Sequence, residues 1–504
     1  MSNFTRTRNN ALSHTNSGSA RVNFFFKVVR DVGHQELINL LENAHNENIE
    51  DTIKLVFQLR DCRGGKGEKK NFYDCIRWYA RHGYEREVID LLGWIPYYGY
   101  WKDLLQLLNI GGNVADAIYT LFANGLRSDR ERYLQQKSIS LCAKYAPTEG
   151  GEYDKKYGAA SKITKKMGVT MKVYRREYLK TLRSYSNVTE VWMCGGKWEQ
   201  IKYEHVSSVC MHKNKKVFLK HDSEGFQKYL ELVKSGDQKI NSSQLFPHQL
   251  VDSYMKQQYS MLDAVIEEQW KALVKHCKQD QKINIGKCIA VCDVSGSMTW
   301  GTGIPIKVCI GLGLLMAELA EEPFGNQIIT FQTEPNFCLI NGKTLKERIQ
   351  QVQNMPWGGS TNLQKVFTLI LEKCKKFNLT PEQCPSTIFV FSDMQFNQCV
   401  EGSMLQGELT NYQAIKKQYH EAGYEVPKIV FWNLKGDTPD FPVTATESGV
   451  ALVSGFSPSL MKLFMEGQEI SPFGIMKQAI NDPRYDPIRF EGLEPLDFSK
   501  MYYA

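Results

Sequence analysis

Asp293, Ser295 and Ser297 stand at alternate positions of a short segment that follows the apolar run Cys288-Ile289-Ala290-Val291-Cys292. Alternate residues of an extended chain point to one side, so these three can present their oxygens together, with Gly296 easing the turn. Hard oxygen donors with a single formal charge suit Mg²⁺ (or Mn²⁺), whose octahedral shell retains water. Such a shell asks for a hydroxyl from a second loop and a carboxylate from another strand end. Gly358-Gly359-Ser360-Thr361-Asn362 supplies the first just before a helical pattern, and Phe391-Ser392-Asp393 supplies the second at the end of an apolar run. A lone D-x-S-x-S string can simply cap the following helix. Three such groups at the ends of successive elements make Asp293, Ser295, Ser297, Thr361 and Asp393 a candidate centre for one divalent cation.

A second set of residues could neutralise phosphates. Lys155, Lys156, Lys162, Lys165, Lys166, Lys172, Arg175, Arg176, Lys180 and Arg183 fall within thirty residues, opposed only by Glu177. Their surplus exceeds the net charge of +7 carried by the whole chain, so the remainder is slightly acidic. Tyr157, Tyr174 and Tyr178 interleave. Cations that meet phosphates and aromatic faces that accept bases are what single-stranded RNA requires. A solvated helix face with a lysine-rich loop would leave the same letters. Lys213, Lys215, Lys216 and Lys220 form a further basic cluster after His205 and His212.

Other motifs carry less. Arg63-Gly64-Gly65-Lys66-Gly67 imitates a phosphate loop, but Gly67 stands where Ser or Thr should follow the lysine, and no strand pattern precedes it. Lys66, Lys69 and Lys70 are therefore expected at an exposed helix start. No nucleophile is paired with a base, and no histidine or carboxylate set has the spacing of a triad or a metal centre, so the chain reads as non-enzymatic. The 13 cysteines show no C-x-x-C pair, which points to free thiols in a reducing compartment rather than zinc or a disulfide framework.

Two grammars position these groups. From about 34 to 276 the signal is helical: Leu37, Leu40, Leu41 and Ala44 recur at i, i+3, i+4, i+7, as do Phe72, Cys75, Ile76 and Tyr79, and Val114, Ala117, Ile118 and Leu121. Short breaks such as Tyr98-Gly99 and Gly111-Gly112-Asn113 separate the helices, which suggests stacked helix pairs. After a polar stretch at 278–287, apolar strands at 287–292, 327–331, 387–391, 428–432 and 450–453 alternate with helices at 306–320, 345–352, 363–377 and 413–422. That alternation predicts a mainly parallel sheet covered on both faces, whose ligands sit at the carboxyl ends of the strands. The fold class is multidomain, α followed by α/β. The expected domains are a disordered polar tail at 1–20, a helical-repeat region at 21–280, the α/β domain with the metal centre at 284–470, and an extension at 471–504.

The chain's 504 residues need more than one core, and 42% hydrophobic with 23% charged residues is globular composition. The longest apolar run, 308–320, is too short for a bilayer and contains Glu318, and the first twenty residues lack the apolar stretch of a secretory signal. A cytoplasmic protein without membrane partners is expected.

D-x-S-x-S, then Thr361, then Asp393, on alternating β/α elements, resembles the metal-ion-dependent adhesion site of von Willebrand factor A domains. That resemblance implies a Rossmann-like fold. It also implies direct ligation by Ser295, Ser297 and Thr361, aspartates acting partly through water, and an open position for an acidic residue of a partner. The strings Asn23-Phe24-Phe25-Phe26, Arg60-Asp61-Cys62-Arg63-Gly64-Gly65-Lys66-Gly67-Glu68, Pro96-Tyr97-Tyr98-Gly99-Tyr100-Trp101-Lys102-Asp103 and Ser392-Asp393-Met394-Gln395-Phe396 resemble a family that joins a helical region to an A domain in plants, fungi, protists and large DNA viruses. Its layout is similar to the Ro autoantigens, whose TROVE module is a ring of HEAT-like helical repeats closed by an A domain. Residues 174–191, with Leu182-Arg183 and Asn187-Val188-Thr189-Glu190, are similar to that module at its basic stretch. The resemblance implies a ring or horseshoe holding small structured or single-stranded RNA. The competing expectation is an Mg²⁺-dependent adaptor that captures an acidic protein and binds no RNA.

Overall fold

A computed structural model describes residues 4–256, 261–331, 335–355, 361–397, 410–437, 440–465 and 470–490. The apolar periodicity folds as read. His34–Glu47 buries Leu37, Leu40, Leu41 and Ala44, and Lys70–Arg81 buries Phe72, Cys75, Ile76 and Tyr79. Gly112–Leu134 turns its inner face slightly from the expected one, burying Val114, Ile118, Tyr119 and Phe122 while Ala117 and Leu121 are half-buried. Among the described residues no helix is long and apolar enough to cross a membrane, and the cysteines are free thiols, most of them buried.

The C-terminal half is a mixed six-stranded sheet. Its strands are β3 (Cys288–Cys292), β4 (Gln327–Thr330), β5 (Phe337–Leu339), β6 (Thr387–Ser392), β7 (Lys428–Asn433) and β8 (Val450–Ser454), ordered β5-β4-β3-β6-β7-β8. All neighbours are parallel except β4 and β5. The fully buried strands β3, β6 and β8 are the continuous apolar runs that a sheet covered on both faces demands. β5 escapes the sequence pattern because it is a three-residue antiparallel edge, half-buried at best.

The boundary expected near 280 separates two kinds of secondary structure but not two cores. One apolar cluster runs from Val22 through the helices into the sheet and on to Ile488, and a smaller satellite gathers Met211, Phe218, Phe226 and Tyr229. Pro247–Met255 packs on Ile304–Leu319 so closely that a Cβ at Gly311 would meet the backbone nitrogen of His248 at 2.9 Å. Residues 471–490 are no free extension either. Lys477 pairs with Asp51 at 2.8 Å, and Asp61, fully buried, takes the Arg484 guanidinium and the Tyr485 hydroxyl at 2.8 Å each.

The glycine-rich loop is the largest departure from expectation. Lys69 and Lys70 are exposed as read, but Lys66 is 2% exposed. The loop folds back on the preceding helix, with Lys66 N donating to Gln58 O and Glu68 N to Leu59 O. That return drives the ammonium inward, where it donates to the carbonyls of Phe25 and Val28 and to Ser454 Oγ at 2.8 Å. Ser454 closes β8, so one side chain ties the first helix (Ala20–Lys27), the loop and the sheet edge. Arg60, also fully buried, forks onto Asp103 Oδ2 at 2.9 and 2.6 Å beside it.

Residues 4–20 are structured, against the expectation of a disordered tail over 1–20, of which 1–3 lie outside the described residues. β1 (Phe4–Arg6) and β2 (Leu12–His14) form a small antiparallel pair. Their polar side chains are spent on the α/β domain: Thr7 Oγ1 donates to Phe396 O at 2.8 Å and Ser13 Oγ to Phe441 O at 2.7 Å.

Lys66→Met keeps the volume and removes the donor; the Ser454 hydroxyl can serve only one of the Phe25 and Val28 carbonyls, so the other is stranded at a cost of about 1–3 kcal/mol. Burial pulls the ammonium down to about 7 from 10.5, with Glu68 opposing. Between those values the unfolded chain holds a proton that the folded chain has released, so this group's contribution rises with pH. Thermal unfolding should therefore show wild type more stable than Lys66→Met, by a margin that widens from about pH 7 to about pH 9. A margin that is flat or narrows contradicts the buried position.

Candidate functional site

Parallel register carries the ends of β3 and β6 side by side: Cys292 faces Phe391, so Asp293 and Asp393 leave adjacent strands at the same edge. Asp293 is wholly buried and Asp393 is 1% exposed. Asp293 Oδ1 accepts the backbone N–H of Ser295 at 3.0 Å, and Ser392 Oγ donates to Oδ2 at 2.5 Å. Ser295 Oγ and Ser297 Oγ lie 3.0 Å apart, so the two hydroxyls converge as the alternation predicts. Burial, then repulsion from Asp393, pushes Asp293 up to about 6. Met394, directly after Asp393, holds a left-handed backbone with φ of 65°, a conformation that costs a non-glycine residue on the order of 1 kcal/mol.

Thr361 reaches this region by another route. Its hydroxyl donates to Gln395 O at 2.7 Å and lies 3.1 Å from Asn397 Oδ1, which fastens it to the loop beyond Asp393. Asn9 of the N-terminal segment donates to the same hydroxyl at 3.1 Å and to Gln395 O at 2.6 Å. Thr361 is thus linked to the Asp393 loop, with no hydrogen bond to Asp293, Ser295 or Ser297 among the described residues. Gly358, Gly359 and Ser360 of its motif lie outside the described residues. Sequence reasoning missed Ser392 as a site residue, since its place against Asp293 follows from strand register. It missed Asn9 because a polar N-terminus gives no local signal.

The donor chemistry fits a hard divalent cation. Two carboxylates share a buried edge with two converging hydroxyls, and among the described residues no basic side chain pairs with Asp293. A buried ionised carboxylate without a counter-charge is costly, and a cation there removes that cost. Among the described residues no group of three or more His, Cys, Asp or Glu could hold an ion, so a cation here would lean on hydroxyls and water.

The basic segment divides in two. Lys155, Lys156, Lys162, Lys165 and Lys166 are exposed on the helices Glu152–Tyr157 and Ala159–Met167. Some are engaged: Lys166 pairs with Asp116 at 2.6 Å, and Lys162 sits over the Tyr119 ring. Lys172, Arg175, Arg176, Lys180 and Arg183 instead line a groove of about 1130 Å³ together with Lys144 and Tyr145. The backbone over Tyr174–Lys180 is a π-helix, a wider turn than the α-helix that recurs at functional sites. Arg176 and Lys180 also border an adjoining hollow of about 790 Å³ walled by Tyr133 and Tyr185, whose rings meet edge to face at 5.0 Å.

Two members of the predicted set serve structure. Arg183 is half-buried and donates to the carbonyls of Ala143 at 2.8 Å and Ala146 at 3.0 Å. Tyr174 is fully buried, its hydroxyl on Pro147 O at 2.8 Å, so it offers no stacking face. Tyr145, Tyr133 and Tyr185 take that place, and only the fold brings them to the cations.

Comparison with known proteins agrees with the layout. Residues 7–116 and 159–283 match the family described as "Domain of unknown function (DUF2828)", and residues 287–484 match "Domain of unknown function (DUF7788)". An uncharacterised protein of Acanthamoeba polyphaga mimivirus is 31% identical over 538 aligned positions, covering 99% of this chain and 91% of its own. The matches begin at residue 7 and run to 484.

Asp293→Asn tests the buried charge in metal-free protein. The folded carboxyl, raised to about 6 from 3.8, keeps a proton that the unfolded chain has lost, so ionised Asp293 costs stability that grows as pH rises through that window. In chelator the asparagine variant should melt above wild type at about pH 7.5, and the gain should vanish near pH 4. A variant that melts lower at both values contradicts the reading.

Proposed function

The chain belongs to the family that joins a DUF2828 region to a DUF7788 region, and we propose that it is a non-catalytic RNA-binding protein of the cytoplasm. In this reading the helical half is a HEAT-like, TROVE-like ring or horseshoe that holds small or single-stranded RNA. The sheet domain is a Rossmann-like von Willebrand A domain. Counted from its own first strand, the sheet order is 3-2-1-4-5-6, the doubly wound order, and Asp293 and Asp393 flank the point where that order reverses. Asp293, Ser295, Ser297 and Asp393 would hold Mg²⁺ (or Mn²⁺), with Thr361 joining from the Gln395 loop. The ion, when bound, offers a coordination position for an acidic group. The chain's own residues bury the two carboxylates, converge the hydroxyls and brace the Asp393 loop with Asn9.

One observation carries the RNA reading: Lys172, Arg175, Arg176 and Lys180 line an open groove beside the hollow of Tyr133 and Tyr185, with Arg175 paired to Glu149 at 3.0 Å and the other three without an ion-pair partner among the described residues. Phosphates meet the cations while bases reach the rings, a sequence-tolerant mode worth about 1–3 kcal/mol per stacked base. A second reading, the Mg²⁺-dependent adaptor, is favoured by the buried charge of Asp293 and by Trp300, 70% exposed at the end of the metal loop.

Protein purified in low salt should carry RNA, seen as a raised ratio of absorbance at 260 to 280 nm. Affinity for single-stranded RNA should fall with salt at a log–log slope of about −0.7 per phosphate contacted. Reversing Lys165, Lys166, Arg175 and Arg176 to Glu should weaken binding by at least about tenfold and flatten that slope, whereas Asp293→Ala should leave it largely intact. Salt-insensitive binding, equal in wild type and the four-residue reversal, would sink the RNA reading. Absence of RNA in every preparation would favour the adaptor.

A further inference from the structure

A cavity of about 660 Å³ lies where the helical half meets the start of Ile304–Leu319, apart from the basic groove. Five lysines line it, Lys213, Lys215, Lys216, Lys256 and Lys307, against two carboxylates, Asp252 and Asp263. Those carboxylates are already engaged: Lys215 pairs with Asp263 at 2.7 Å, and Lys256 and Lys307 both reach Asp252 at 2.6 Å. Lys213 and Lys216, exposed on the helix Ser208–His221, have no ion-pair partner among the described residues. The wall therefore carries a surplus of three positive charges in a space the size of one small ligand.

A buried polar side chain adds to this lining. Burial, then the charge of Arg30, pushes His248 down to about 3, so it is neutral and adds no charge. It is only 7% exposed, it lines the cavity, and its Nδ1 has no hydrogen-bond partner among the described residues. At the start of Ile304–Leu319 the first N–H is taken by Thr302 Oγ1 at 3.3 Å and Pro305 carries none, so Thr302 and Ile304 join the wall without an open helix end.

The lysine ammonium groups act as point charges that donate to phosphoryl oxygens in many orientations, and a surplus of three charges in one cavity suits a compact, multiply charged anion. Thr302 Oγ1 accepts the Ile304 N–H at 3.3 Å and keeps its own proton to donate. We propose that this cavity binds a compact polyphosphate, either a nucleoside triphosphate or a free polyphosphate chain, at the seam between the helical half and the metal loop.

Isothermal titration of the full-length chain in EDTA, with inorganic tripolyphosphate and separately with ATP, tests this away from any metal. Saturable binding near one per chain is expected. Lys213→Glu with Lys216→Glu should raise Kd at least tenfold, and the alanine pair should shift it less in the same direction. Arg175→Glu with Arg176→Glu, in the groove assigned to RNA, should leave it unchanged, so loss of RNA binding and loss of this site are told apart. ATP binding several-fold more tightly than tripolyphosphate identifies a nucleotide, and equal affinities identify the phosphate chain alone. No saturable binding by either probe, or equal weakening by the two glutamate pairs, overturns the proposal.

Discussion

Lys66 lies inside the protein with its ammonium among the carbonyl oxygens of Phe25 and Val28 and the hydroxyl of Ser454. Those acceptors belong to the end of the first helix and the last strand of the sheet, so the helical half is held to the sheet by a polar knot set in apolar surroundings. Ser454 also donates to Phe25 O at 3.0 Å, and Asn433, at the end of the neighbouring strand, donates to Phe26 O at 3.2 Å. The backbone groups that end a helix must find partners, and here the sheet edge provides them. A buried lysine is expensive to desolvate, and Glu68, 3% exposed and itself 3.3 Å from Arg30, offsets part of that cost.

That docking divides the carboxyl edge of the sheet. β7 and β8 are covered by the first helix, which leaves the ends of β3 and β6 for Asp293 and Asp393. The N-terminal segment closes over the loop beyond β6 through Thr7, Arg8 and Asn9. The candidate centre is thus walled on one side by the N-terminal segment, which braces the loop that carries Met394. Stability is given up locally where two like charges face each other, the usual condition of a site built for a cation.

Much of this was legible in the letters, and the gaps have physical causes. The strand runs and the covering helices fall within about two residues of expectation, because a sheet buried on both faces writes itself as unbroken apolar runs. The D-x-S-x-S spacing correctly brought Ser295 and Ser297 together. Lys66 was misread because only its contacts distinguish a buried lysine from an exposed one. Residues 4–20 were misread because polar side chains that hydrogen-bond across a surface look, in sequence, like polar side chains in water. Tyr174 and Arg183 sat in the right segment but face inward, Tyr174 onto Pro147 O and Arg183 onto Ala143 O and Ala146 O, which a count of charges and rings does not reveal.

The central functional claim is that RNA lies along the groove of Lys172, Arg175, Arg176 and Lys180, independently of the metal loop. Ultraviolet crosslinking of protein to bound RNA, read by mass spectrometry with and without chelator, addresses it most directly. Crosslinks should concentrate on Tyr133, Tyr145, Tyr185 and the peptides between 155 and 185, unchanged by removal of divalent ions. Crosslinks confined to the loops at 293–300 and 393–397, or abolished by chelator, would contradict it.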